Sequence, residues 1–162
     1  MLPKIERKGM AEEFESLNLN SIDVAQKIRY IAQEDFHLLL NMTQTQKLLY
    51  IAYGIEIARA NIRLTDEHPQ AWPFGPVFPR VHSKVDFSTT PPNPDGIPDE
   101  IVSLLRDVVK AFGRTSATKL SEWSHSKDSP WDKTPKDKWG RSLSDSDIRE
   151  YFSRLKYIKT NE

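Results

Sequence analysis

Residues 45–58, TQKLLYIAYGIEIA, constrain the fold more than any other stretch of the chain. Leu48, Leu49, Tyr50, Ile51, Ala52, Tyr53, Ile55 and Ile57 leave few polar positions, so a helix formed here is apolar nearly all round. Such a helix has no face to offer to water. Other elements must sheathe it, which makes it the central, buried helix of the domain. Thr43 and Gln46 have the spacing of a capping box, in which a Thr oxygen accepts from an exposed amide while a Gln three residues on reaches back. The helix is therefore predicted to start at that box.

The sheath is read from periodicity and punctuation. After Ser21 as N-cap, Val24, Ile28, Ile31, Asp35 and Leu38, mostly apolar, recur at three- and four-residue steps, predicting a first helix over about 22–33 or further. Pro98 at a first helical position, Asp99 and Glu100 in the first turn and Gly113 past the end bracket a strong helix. Its apolar face is Ile101, Leu104, Leu105, Val108, Val109 and Phe112. Thr115 caps a shorter helix that ends before Pro130, which forbids continuation. Ser144 opens a final helix with Ile148, Tyr151, Phe152, Leu155 and Ile158 on one side. PRVHSKV at 79–85 reads as a short helix, and STTPPNPDGIP at 88–98 as a surface loop. IRLTDEHPQAW at 62–72 predicts two short strands around a turn at Asp66-Glu67-His68-Pro69. The expected architecture is mainly α, with five or six helices around the central one and at most a small β-hairpin. It forms a compact single domain over 21–162, and residues 1–20 form an N-terminal extension, loose or bound to a partner.

Several function classes are disfavoured by composition. Lys plus Arg and Asp plus Glu balance at 23 each, so the positive field that drives most nucleic-acid binding is missing. The chain has no cysteine, which removes disulfides, thiolate metal sites and cysteine nucleophiles. The four histidines, His37, His68, His82 and His125, lie in unlike elements and none pairs at the four-residue helical step that lets two imidazoles share a metal. Ser124-His125-Ser126 sets a hydroxyl beside a base but lacks the Gly-flanked elbow that would present it. No Gly-rich phosphate loop occurs among the six glycines. We therefore expect no catalytic residue, no metal and no cofactor. No apolar run reaches the roughly 18 residues of a spanning helix, and MLPKIERKGMAEEFE carries charges without an apolar stretch behind them. A cytoplasmic protein without membrane contact is the expectation.

One segment resists assignment to an ordinary element. In AWPFGPVFPRVHSK, at 71–84, Pro73, Pro76 and Pro79 alternate with Trp72, Phe74, Val77 and Phe78 around Gly75. The three-residue proline step matches a polyproline II ligand, but the position between apolar helices favours a packed, proline-stiffened turn. Pro fixes backbone angles on either side of a glycine free to take positive φ, so the rings are held at low entropic cost. Rings held in that way serve equally well as core plugs or as interface anchors.

TQKLLYIAYGIEIA at 45–58 and EHPQAWPFGPVFPRVHSKV at 67–85 resemble the Panacea domain, also called the SocA-like or phage-associated GepA-like family. Its hallmarks are a KLLY-type helix, here Lys47, Leu48, Leu49 and Tyr50, and a W-x-(Y/F)-G-P-V segment, here Trp72 to Val77. SHSKDSPWDKT at 124–134 matches the later SPW motif through Ser129, Pro130 and Trp131, and SDSDIREYF at 144–152 matches the last helix. Phe74 stands where Tyr is commoner, and Phe78 and Pro79 make the turn unusually apolar. The resemblance implies an antitoxin of a bacterial or phage toxin–antitoxin pair, which binds and neutralises a toxin encoded beside it. The alternative it implies is a proteolytic adaptor that hands the toxin to a protease; a DNA-binding autorepressor and an enzyme rank below both. Trp72, Phe74, Gly75, Pro76, Val77 and Phe78 are the candidate toxin-binding residues, and Trp131 the expected structural plug.

Overall fold

The computed structural model describes residues 14–135 and 140–155. Among them are seven helices and two sheets of two strands each. In chain order these are β1 (Glu15–Leu19), α1 (Ser21–Phe36), α2 (Met42–Ala60), β2 (Ile62–Thr65), β3 (Gln70–Trp72), β4 (Gly75–Val77), α3 (Pro79–Lys84), α4 (Asp99–Phe112), α5 (Ala117–Ser124), α6 (Pro130–Lys133) and α7 (Asp145–Ser153).

The mainly helical reading holds, and α2 packs against α1, α4, α5 and α7. Leu48, Leu49, Tyr50, Ile51, Tyr53 and Ile57 are buried on successive sides of it. Val24, Ile28 and Ile31 of α1, Ile101, Leu105 and Val108 of α4, and Ile148 and Phe152 of α7 complete the core. Gly54 lets α7 come close: a Cβ there would lie 2.3 Å from the Phe152 ring. The opening of α7 is tied down as well. Asp145 accepts from the Tyr53 hydroxyl at 2.8 Å and from Arg63 Nε at 2.6 Å. Burial pushes the Asp145 carboxyl up, but the hydrogen bonds from His68, Arg63 and Tyr53 outweigh it and hold the group below its usual range.

Helix boundaries moved where a better cap lay nearby. The side chain of Asn20, not Ser21, accepts the first amides of α1, and Ser21 is buried with its hydroxyl on Glu67. The capping box of α2 is Asn41 with Gln44, two residues ahead of the expected pair. Gln46 is thereby freed for another role. Pro98 is the N-cap of α4 rather than its first residue, and Ser116 replaces Thr115 as the cap of α5. Ser144 caps α7 as expected, while Ile158 lies outside the described residues. The helix beyond the expected five or six is α6. Pro130 does not merely end α5; it begins a new turn under the Ser129 cap, a position where its missing N–H costs nothing.

The strands pair differently from expectation. Strands form at 62–65 and 70–72, but they do not pair with each other. β2 runs parallel to β1, whose residues 15–19 come from the segment assigned to the N-terminal extension, and β3 runs antiparallel to β4. The connection between β2 and β3 cannot act as a hairpin turn because its side chains are engaged elsewhere. Asp66 accepts from the Ser21 amide, and Glu67 accepts from the Ser21 hydroxyl and the Arg80 amide. These two carboxylates anchor the starts of α1 and α3, which draws the β2–β3 connection away from a tight turn.

Candidate functional site

The proline-rich segment is a β-hairpin. Gln70 faces Val77, Ala71 faces Pro76 and Trp72 faces Gly75, so Pro73 and Phe74 form a two-residue tip. Gly75 takes φ 119°, a conformation open to glycine and strained for any L side chain. Space forbids a side chain too: a Cβ at Gly75 would sit 2.4 Å from Ser124 Oγ and 3.1 Å from Lys47 Nζ.

Four side chains from the surrounding helices fasten the hairpin, and each grips its main chain. Gln46 takes both backbone groups of Phe78, donating from Nε2 to the carbonyl at 3.1 Å and accepting the amide at 2.8 Å. Lys47 Nζ donates to the Pro76 carbonyl at 3.0 Å. Ser121 Oγ donates to the Phe74 carbonyl at 2.7 Å, and Trp131 Nε1 to the Trp72 carbonyl at 2.7 Å. Among the described residues the hairpin is a two-stranded sheet, and these side-chain donors meet carbonyls that a further strand would otherwise satisfy.

The six candidate contact residues divide by exposure. Phe74 is 76% exposed at the tip. Trp72 is half-buried, its ring 5.0 Å from that of His82, and Val77 is half-buried beside it. Gly75 and Pro76 are buried. Phe78 is fully buried against Tyr53, ring centroids 5.7 Å apart, and belongs to the core. Of the KLLY residues, Leu48, Leu49 and Tyr50 are core. Ser129 and Pro130 are buried, while Trp131 is half-buried against His125 and reaches the hairpin through its indole N–H.

Between hairpin, α2 and α5 lies an open cleft of about 500 Å³. Trp72, Pro73, Phe74 and Val77 form one wall, Met42, Gln46 and Lys47 a second, and Ser121, Glu122 and His125 the third. Gln46, His82, Ser121 and His125 were not among the residues singled out for binding. In the sequence Gln46 reads as a capping partner, and His82 and His125 bear only on a metal or catalytic role. Burial without a carboxylate partner lowers Lys47 from 10.5 to about 8. Since the unfolded chain then holds a proton that the folded lysine has released, stability is expected to rise with pH between about 8 and 10.5. Urea midpoints across that range should rise for wild type relative to Lys47→Met, a comparison in which the buried tyrosines cancel.

Residues 45–132 match the family described as antitoxin SocA-like, Panacea domain. No curated protein and no solved structure matches the chain. The matched segment runs from α2 to α6 and contains the hairpin, the cleft wall on α5 and all four fastening side chains. Covering more than half of the 162 residues, it makes the chain a member of the SocA-like Panacea antitoxin family.

Proposed function

We propose that this protein is an antitoxin that works in the cytoplasm by binding, not by catalysis, and that it neutralises a toxin encoded beside it through direct contact at the β3–β4 hairpin. The apolar helix α2 is the scaffold around which the contact surface is assembled. The observation that carries the reading is Phe74, a large apolar ring 76% exposed at the tip of a hairpin whose backbone, from Trp72 to Phe78, is held by four side chains. A ring fixed in advance loses little entropy when a partner covers it, and that is the property of an interface anchor. The balanced charge, 23 basic against 23 acidic residues, supports a protein partner over nucleic acid.

Co-expression with the adjacent gene product tests this. Growth is expected to be restored, the two proteins are expected to co-purify, and the purified protein alone is expected to silence the purified toxin. Rescue that requires a cellular protease, with no inhibition between purified components, would instead establish the proteolytic adaptor.

A further inference from the structure

Lys47 is an awkward residue for its position. It is 3% exposed, and its ammonium, with three N–H donors to satisfy, meets one acceptor, the Pro76 carbonyl. Among the described residues no carboxylate lies within ion-pair distance of it. Holding the hairpin does not require the charge, since a neutral amide can donate to the same carbonyl. His125, which also lines the cleft, has a buried Nδ1 with no hydrogen-bond partner among the described residues. Around these two, the cleft is walled by the rings of Trp72 and Phe74.

We propose that the cleft receives an acidic side chain of the toxin, its carboxylate meeting the Lys47 ammonium and the His125 ring nitrogen while apolar neighbours of that residue rest on Trp72 and Phe74. The proposal rests on the toxin-binding reading and names the chemistry of the contact. The titratable groups lining the cleft are Lys47 on α2, His82 on α3, Glu122 on α5 and His125 at its C-cap; the hairpin contributes none. Of these, the Lys47 ammonium is the buried charge without a counter-charge, and it is what favours an anionic guest. A carboxylate on an apolar body suits it better than a phosphate, which would draw on several basic residues where the cleft has one lysine. Lowering of the Lys47 pKa by burial agrees with a cation awaiting its counter-charge.

The probes are sodium hexanoate, its neutral counterpart hexanamide, and inorganic phosphate, each titrated into the isotope-labelled full chain while the Gly75 and Val77 amide signals are followed. Hexanoate is expected to bind at least ~10-fold more tightly than hexanamide, the worth of about one charge-assisted hydrogen bond, and phosphate is expected to leave both signals unmoved. In Lys47→Gln, which keeps a donor for Pro76, the two hexyl probes should bind alike. Wild type alone gives a check independent of that variant's folding: the preference for hexanoate should disappear between pH of about 7 and about 10, as Lys47 loses its charge. Equal binding of the hexyl probes to wild type, a preference that persists in Lys47→Gln or at high pH, or saturable phosphate binding would each overturn the site. The toxin reading is separated by a second arm. If hexanoate discriminates but the adjacent gene product binds wild type and Lys47→Gln equally, the guest is not the toxin's acidic side chain and the proposal falls. If the adjacent gene product binds neither, the toxin reading fails, and the guest proposed here with it, while the hexanoate result still measures a carboxylate site.

Discussion

Phe152→Ala is expected to lower stability by about 3–5 kcal/mol, out of a total on the order of 5–15 kcal/mol for a domain of this kind. The ring is fully buried. It meets Tyr50 edge-on at 5.5 Å, Trp123 at 6.0 Å and Tyr151 at 5.6 Å, so its loss dissolves an aromatic cluster joining α2, α5 and α7. The cavity has a built-in control in Gly54, whose missing side chain is the space that the ring fills. Gly54→Ala alone should cost about 1–3 kcal/mol by overpacking. On the Phe152→Ala background the same methyl enters a void and should cost much less, leaving a large coupling energy in the double-mutant cycle. Urea denaturation of the four proteins measures it. Additive effects would mean that α2 and α7 do not meet at these two residues.

Phe74→Ala has its effect on a different property. Losing an exposed anchor ring is expected to weaken toxin binding by at least ~2 kcal/mol, about thirtyfold, with stability unchanged within about 0.5 kcal/mol. Trp72→Ala is the contrasting variant. Its ring is half-buried against His82, so melting and affinity should fall together. Titration calorimetry beside thermal melts separates the two. Undiminished affinity in Phe74→Ala would move the toxin contact off the hairpin.

The elements most legible in the sequence were those whose signal is local. Helix α4 shows its buried face at unbroken helical steps, and α2 reveals itself by having almost no polar face. Caps were harder, because Asn20, Ser21, Asn41 and Thr43 are all competent N-caps within a residue or two of one another, and the choice falls to whichever side chain is not needed elsewhere. The β1–β2 pair left no signal. ESLNL is polar and mostly exposed, and its parallel partner lies more than forty positions away, so nothing local announces the pairing. Of the hairpin, the strand at 70–72 was legible, but its partner β4 was visible only as a rigid turn, since Pro76 conceals it. Of the candidate binding residues, aromatic identity marked Trp72 and Phe74, but that Trp72 is half-buried on His82 while Phe74 stands exposed is set by the tertiary fold. The cleft as a whole exists only once α2 and α5 face each other across the hairpin.

The way the hairpin is fastened bears on how such a protein could change partners over evolutionary time. Gln46, Lys47, Ser121 and Trp131 hold backbone atoms of residues 72, 74, 76 and 78, and none of these fastenings depends on the side chain carried at the tip. Glycine is demanded at 75, but position 74 is left free by the fold. Substitutions there can be sampled without an intermediate that fails to fold, so the exposed ring at the tip can be exchanged while the mount stays the same. A scaffold built in this way separates the inheritance of its shape from the inheritance of whatever its tip contacts.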